Sequence, residues 1–179
     1  AFFKNDELGD GANLDRISYD AAAVGVARNE ETNTVNARLA YTFGRGSDCT
    51  REVGVSAQWG ELYNRDTDAT GERYAGAVHV DSLCGRWNGQ LELGRYRMAP
   101  ENPPGVGDDT VTLGGFSGSY PVAAEGSFAV ANVAYNLPVS WPRVQLLTCY
   151  NDFSMLRKDR DAFDDSYLNT TGCVAKLGP

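Results

Sequence analysis

From Arg51 to Met98, apolar and polar residues change places almost step by step, with only brief polar interruptions. Val53-Gly54-Val55-Ser56-Ala57-Gln58-Trp59 and Trp87-Asn88-Gly89-Gln90-Leu91-Glu92-Leu93 both follow a period of two. Successive side chains of an extended chain fall on opposite faces, so each segment reads as a strand with one greasy and one water-binding face. Between them, Asn64 to Gly71 is a run of turn formers. A further strand is expected from Tyr74 through Val78 and Val80 to about Cys84, with a tight turn near Gly85. Two β-hairpins result. What the pattern leaves open is the cover of the greasy face: protein, as in a soluble sandwich, or lipid, as in a membrane barrel.

The same pattern extends along the chain. A strand of moderate quality is expected over Ile17 to Gly25 and a clean one over Val35 to Phe43. In the latter, Val35, Ala37, Leu39, Tyr41 and Phe43 oppose Asn36, Arg38, Ala40 and Thr42. Ser127 to Leu137, Arg143 to about Met155 and Tyr167 to Lys176 alternate likewise. About eight strands and no convincing helix follow. The stretch from Ala99 to Pro121 reads as one long irregular loop, either lying on the surface or folding inward to narrow a channel or cover a site. No linker divides the chain, so residues 1–179 form a single all-β domain. The fold class expected is an antiparallel up-and-down β-barrel, alone or as part of a larger transmembrane barrel. A soluble β-sandwich is the alternative.

Composition narrows the choice of partners. Asp and Glu number 24 against 16 Lys and Arg, a net charge of −8, which disfavours nucleic acid. No apolar run approaches the ~20 residues of a membrane helix, a test that a β-barrel escapes. The start lacks a signal-peptide pattern, and Leu177-Gly178-Pro179 follows a strand with no closing element, so mature or partial sequence is expected. Cys49, Cys84, Cys149 and Cys173 show no CxxC spacing, which argues against zinc. They are either small buried residues or two disulfides in any of three connectivities. No cofactor is implied.

Several strands reach ~10–13 residues, where soluble strands average five or six and barrel strands need ~9–11. Tyr41, Phe43, Trp59, Tyr63, Trp87, Tyr96, Tyr135, Trp141, Tyr150 and Tyr167 gather toward strand ends, as an interfacial girdle would. Ala131-Asn132-Val133-Ala134-Tyr135-Asn136-Leu137-Pro138, then Leu147-Thr148-Cys149-Tyr150-Asn151-Asp152-Phe153-Ser154, then Asp164-Asp165-Ser166-Tyr167-Leu168-Asn169-Thr170-Thr171-Gly172 complete the picture. In this order they resemble the C-terminal half of Gram-negative outer-membrane porins of the phosphate-selective type, over residues 127–175. The resemblance implies an outer-membrane location and passive diffusion of small, often anionic, solutes. Membrane lipid or lipopolysaccharide would then be a partner, and assembly into a homo-oligomer is open.

On that reading the pore-lining candidates are Arg38, Gln58, Arg86, Gln90, Glu92, Gln145 and Lys176. Arg38, Arg86 and Lys176 would attract anions, with Glu52 and Glu92 opposing them. Asp66, Asp68, Asp108, Asp109, Asp159, Asp161, Asp164 and Asp165 fall in expected loops, where they could bind Ca²⁺ or bridge lipopolysaccharide, though without EF-hand spacing. The competing class is a secreted sandwich that binds or processes carbohydrate, with Trp59 and Trp87 as stacking platforms and His79 in an acid/base role. No paired-carboxylate, GxSxG, HExxH or P-loop pattern supports catalysis, so no catalytic residue is assigned and the chain is expected not to be an enzyme.

Overall fold

A computed structural model describes residues 2–3, 20–21, 27–115 and 118–178. It is all-β and antiparallel, with no helix among the described residues. The elements are β1 (Phe2–Phe3), β2 (Asp20–Ala21), β3 (Asn29–Phe43), β4 (Cys49–Asn64), β5 (Ala69–Cys84) and β6 (Trp87–Ala99). β7 (Thr110–Gly115), β8 (Gly118–Ala123), β9 (Glu125–Leu137), β10 (Val144–Lys158) and β11 (Ser166–Leu177) follow. The main sheet runs β1-β3-β4-β5-β6-β9-β10-β11, so each long strand lies beside its predecessor in the sheet. The long strands have 12 to 16 residues.

The sheet is open among the described residues. β11 has no partner on its outer side, and the outer side of β3 carries only the two-residue β1. The strand expected over Ile17 to Gly25 lies outside the described residues except for Asp20–Ala21.

Register explains how the faces are assembled. Directly paired residues share a face. One row runs Leu39, Val55, Val78, Leu93, Ala129, Met155, Tyr167, and the next runs Tyr41, Val53, Val80, Leu91, Ala131, Phe153, Asn169. Neither row contains a charge. Nothing among the described residues covers them: Leu39, Val55 and Val78 are 75, 50 and 52% exposed. The opposite face is the polar one. The division weakens at β11, where Asn169 and Thr171 join the apolar face and Leu168 and Val174 the polar face.

The hairpins are staggered. The last pair of β4–β5 is Asn64↔Ala69, and that of β10–β11 is Leu156↔Ser166. Register carries Leu156 through Phe128, Gly94 and Ala77 to Ser56, so this end of the sheet recedes by eight residues from β4 to β10. Connections at the opposite end are short. Gly85, at φ 57°, opens the two-residue turn between β5 and β6, where a positive φ is needed and glycine supplies it freely.

The region expected to be one irregular loop is in part ordered. Thr110–Gly115 and Gly118–Ala123 pair as a hairpin, which with β2 makes a second, three-stranded sheet. Alternation in Thr110-Val111-Thr112-Leu113 had been masked by the Pro- and Gly-rich flanks. Pro121 is tolerated because β8 is an edge strand with no outer ladder. Val111 and Ala124 are buried against Leu62 of β4, with Ala21, Met98 and Leu113 around them. This small core sits on the polar face at the long-loop end, where that face turns locally apolar.

Both disulfides join directly opposed residues. Cys49–Cys84 links β4 to β5 and Cys149–Cys173 links β10 to β11, leaving no free thiol among the described residues. Register places all four on one row of the apolar face, with Trp87 and Tyr135 between them at a ring separation of 4.5 Å.

Candidate functional site on the polar face

The polar face brings together residues that are far apart in sequence. Thr42, Glu52, Asp81, Gln90, Asn132, Asp152 and Thr170 form one continuous register row over seven strands. Ala40, Gly54, His79, Glu92, Val130, Ser154 and Leu168 form the adjacent row. Every member of the first row can hydrogen-bond, and many do so within it. Thr42 Oγ1 donates to Glu52 (3.2 Å), Gln90 Nε2 to Asp81 (2.9 Å) and Asn132 Nδ2 to Asp152. Asn88 Nδ2 also donates to Asp81, at 2.8 Å.

Arg38, Glu52 and His79 form a compact ionic group. The Arg38 guanidinium donates to Glu52 Oε1 at 2.9 Å and lies 3.0 Å from His79 Nε2, which is 3.2 Å from the same carboxylate oxygen. With Nε2 unprotonated the imidazole accepts from Arg38; protonated, it donates to Glu52. The ring lies over Gly54, its register partner, where a Cβ would overlap it. Gly94 lies under Phe128 and Gly172 under Tyr150 in the same way.

Two troughs open beside this group. One, of about 320 Å³, is lined by Arg38, Glu52, His79, Asp81, Gln90 and Glu92. The other, of about 390 Å³, has Ser56, Ala75 and Ala77 as its floor and Asn36, Gln58, Arg38 and Phe128 along its sides. Beyond it, β7–β8 overhangs the sheet and encloses about 390 Å³ between Leu113, Val122, Gln58, Ala75 and Tyr96. Tyr96 donates to the Ala123 carbonyl at 3.0 Å, tying the hairpin to the sheet.

The long-loop end is held by a buried amide knot. Asn64 Nδ2 donates to Asn29 (3.1 Å) and Asn102 (3.3 Å), and Asn29 Nδ2 donates to Asn102 (2.9 Å). Asn64 Oδ1 in turn accepts from the amides of Asp66 and Thr67, so no polar atom of this fully buried side chain is wasted. Arg73, beneath the hairpin, is paired to Glu31 at 2.8 Å and donates to Thr34 at 2.7 Å.

Of the pore-lining candidates, Arg38, Gln58, Gln90, Glu92 and Lys176 are on the polar face. The first four border the two troughs, while Lys176 lies toward the short-turn end. Arg86 belongs to the tight turn after Gly85, and Gln145 falls in the register irregularity between Val144 and Leu146, against Gly178. Neither of these joins the group. Tyr96 and Tyr150, expected in the aromatic girdle, are on the polar face by parity. Trp59 and Trp87 lie on the apolar face and His79 on the polar one, so the structure does not assemble them as one carbohydrate site.

Many loop carboxylates have internal partners. Asp66 pairs with Arg28 (3.1 Å), Asp109 with Arg160 (2.7 Å) and Asp159 with Arg95, while Asp68 accepts from Tyr63 (2.7 Å). No group of three metal-ligating side chains converges among the described residues. Sequence reasoning did not single out Asp81, Asn132 and Asp152 as site residues. Each occupies a polar position in an alternating strand, which is the signal that was available. Comparison of the chain with protein-family models, with curated proteins and with solved structures finds no match.

Proposed function

We propose that this sheet is a section of the wall of a transmembrane β-barrel that passes small solutes across a bacterial outer membrane by passive diffusion. The observation that carries the reading is the uncharged, exposed double row crossing seven strands, backed by a polar row on the other face. Soluble monomers rarely expose continuous apolar patches beyond a few hundred Å². In a sandwich, a second sheet would cover this face. The only second sheet among the described residues packs on the opposite face.

The dimensions agree with a bilayer. Trp59 and Tyr74 oppose each other at one border, and Trp87 with Cys84 marks the other. From Tyr74 to Cys84 the strand advances about 33 Å, which at a tilt of ~40° is about 25 Å along the membrane normal. Charged residues on this face keep to its margins: Arg97 lies at the first border with Arg95 and Arg157 one pair inside it, and Arg51 lies one pair inside the second. The stagger of the hairpin ends is the displacement that closing a tilted sheet requires. Lipid offers no hydrogen bonds to the edges of β3 and β11 that are unpaired among the described residues, so a sheet that spans a membrane must close into a barrel. The resemblance to phosphate-selective porins fits this architecture, and the two disulfides fit an oxidising, extracytoplasmic location.

Solubility without detergent tests the reading. The chain should aggregate in plain buffer, fold with β-type circular dichroism in detergent, and give stepwise conductance in planar bilayers. A compact, monodisperse monomer in buffer alone would make the apolar face an interior and sink the proposal.

A further inference from the structure

The polar face carries its charge unevenly. Its two central rows hold Glu52, Asp81, Glu92 and Asp152, and among the described residues the one Arg or Lys in the rows next to them is Arg38. Arg38 is already engaged, at 2.9 Å from Glu52. Arg73 is paired with Glu31 beneath the hairpin, and Lys158 and Lys176 lie toward opposite ends of their strands, Lys158 donating to the Asp164 carbonyl. The contacts of Asp81 and Asp152 are of a different kind. Their donors are the amides of Asn88, Gln90 and Asn132, which satisfy a carboxylate without cancelling its charge. Glu92 projects into the trough beside His79.

We infer, on the basis of the pore reading above, that the lumen this face lines prefers cationic over anionic solutes, with Asp81, Glu92 and Asp152 setting the preference. Three carboxylates at ~8 Å from a passing monovalent ion, screened at physiological ionic strength, enrich cations roughly two- to threefold and deplete anions equally. A cation-to-anion permeability ratio of roughly 5 follows. Anion selection would need an excess of cations here, and the arginine best placed to provide it is neutralised by Glu52.

The test is the reversal potential of the full-length chain in a planar bilayer under a KCl gradient. Wild type should show a potassium-to-chloride ratio of roughly 5, and the triple variant Asp81→Asn, Glu92→Gln, Asp152→Asn a ratio near 1. Arg38→Gln should raise the ratio, because it leaves Glu52 uncompensated. Resistance to SDS before heating reports whether each variant folds. Conductance with an anion preference, or a folded triple variant with the wild-type ratio, overturns this inference and leaves the pore standing. If the triple variant does not fold, Arg38→Gln decides: an unchanged or lower ratio overturns the inference. Absence of wild-type conductance removes the pore reading and the inference with it.

Discussion

Val78 sits near the middle of the apolar band, paired with Val55 on one side and Leu93 on the other, and it is half exposed. Replacing it with arginine separates the two environments open to this face. On a surface that meets water, such a change costs within about 0.5 kcal/mol. At the centre of a bilayer the same change costs about 2–4 kcal/mol, falling to about 0–1 at the interface. Ser82, four residues along on the same face and near the short-turn border, gives the internal comparison. Val78→Arg should therefore shift the folding equilibrium in lipid roughly 30- to 1000-fold, and Ser82→Arg by less than about tenfold. Guanidinium titration in phosphatidylcholine vesicles, followed by tryptophan fluorescence, measures both. Trp59 and Trp87 lie on this face and report its environment directly. Equal costs at the two positions, or a cost for Val78→Arg within about 0.5 kcal/mol, would refute a lipid-facing surface.

Three further outcomes follow from particular contacts. Gly71 is buried under β6, and an added Cβ would overlap the Ala99 carbonyl; Gly71→Ala should cost about 1–3 kcal/mol in chemical denaturation, while Gly89→Ala, with open space around it, should cost far less. Reducing the disulfides should lower stability by roughly 3–4 kcal/mol each, for closed loops of 35 and 24 residues, as read by denaturation with and without dithiothreitol. Asn64→Ala unties the buried amide knot, so it should cost about 2–4 kcal/mol and speed proteolysis between Glu101 and Asp109, where Asn102 is anchored.

Alternation was enough to read the seven long strands, β3 to β6 and β9 to β11, and most of their faces. In β3 the division of Leu39 and Tyr41 from Arg38 and Thr42 needs nothing but parity, and it holds. Register was out of reach, because it depends on partners that sequence does not identify. Glu52, Asp81 and Asp152 are spread over a hundred residues, and only pairing through β5, β6 and β9 puts them on one row. The same limit left the cysteine pairing open among three choices until strand neighbours selected one. Tyr96 and Tyr150 show where position misleads: closeness to a strand end placed them in the girdle, while parity turns them toward the polar side. The β7–β8 hairpin was hidden because its strands are short, the first ends on Gly114-Gly115, and Pro103-Pro104-Gly105 precedes it.

The two cystines also bear on how the molecule survives damage. Cys49–Cys84 closes the mouth of a hairpin whose other end is the Arg65–Asp68 connection, and Cys149–Cys173 does the same for the hairpin turned by Asp159–Asp165. Such exposed polar connections are where proteases cut first. A single cut in either one would leave two polypeptides still covalently joined, with every ladder bond between their strands intact. These connections are thus expendable as chain, and the strands they join would stay together after their loss until a reductant reached the cystines.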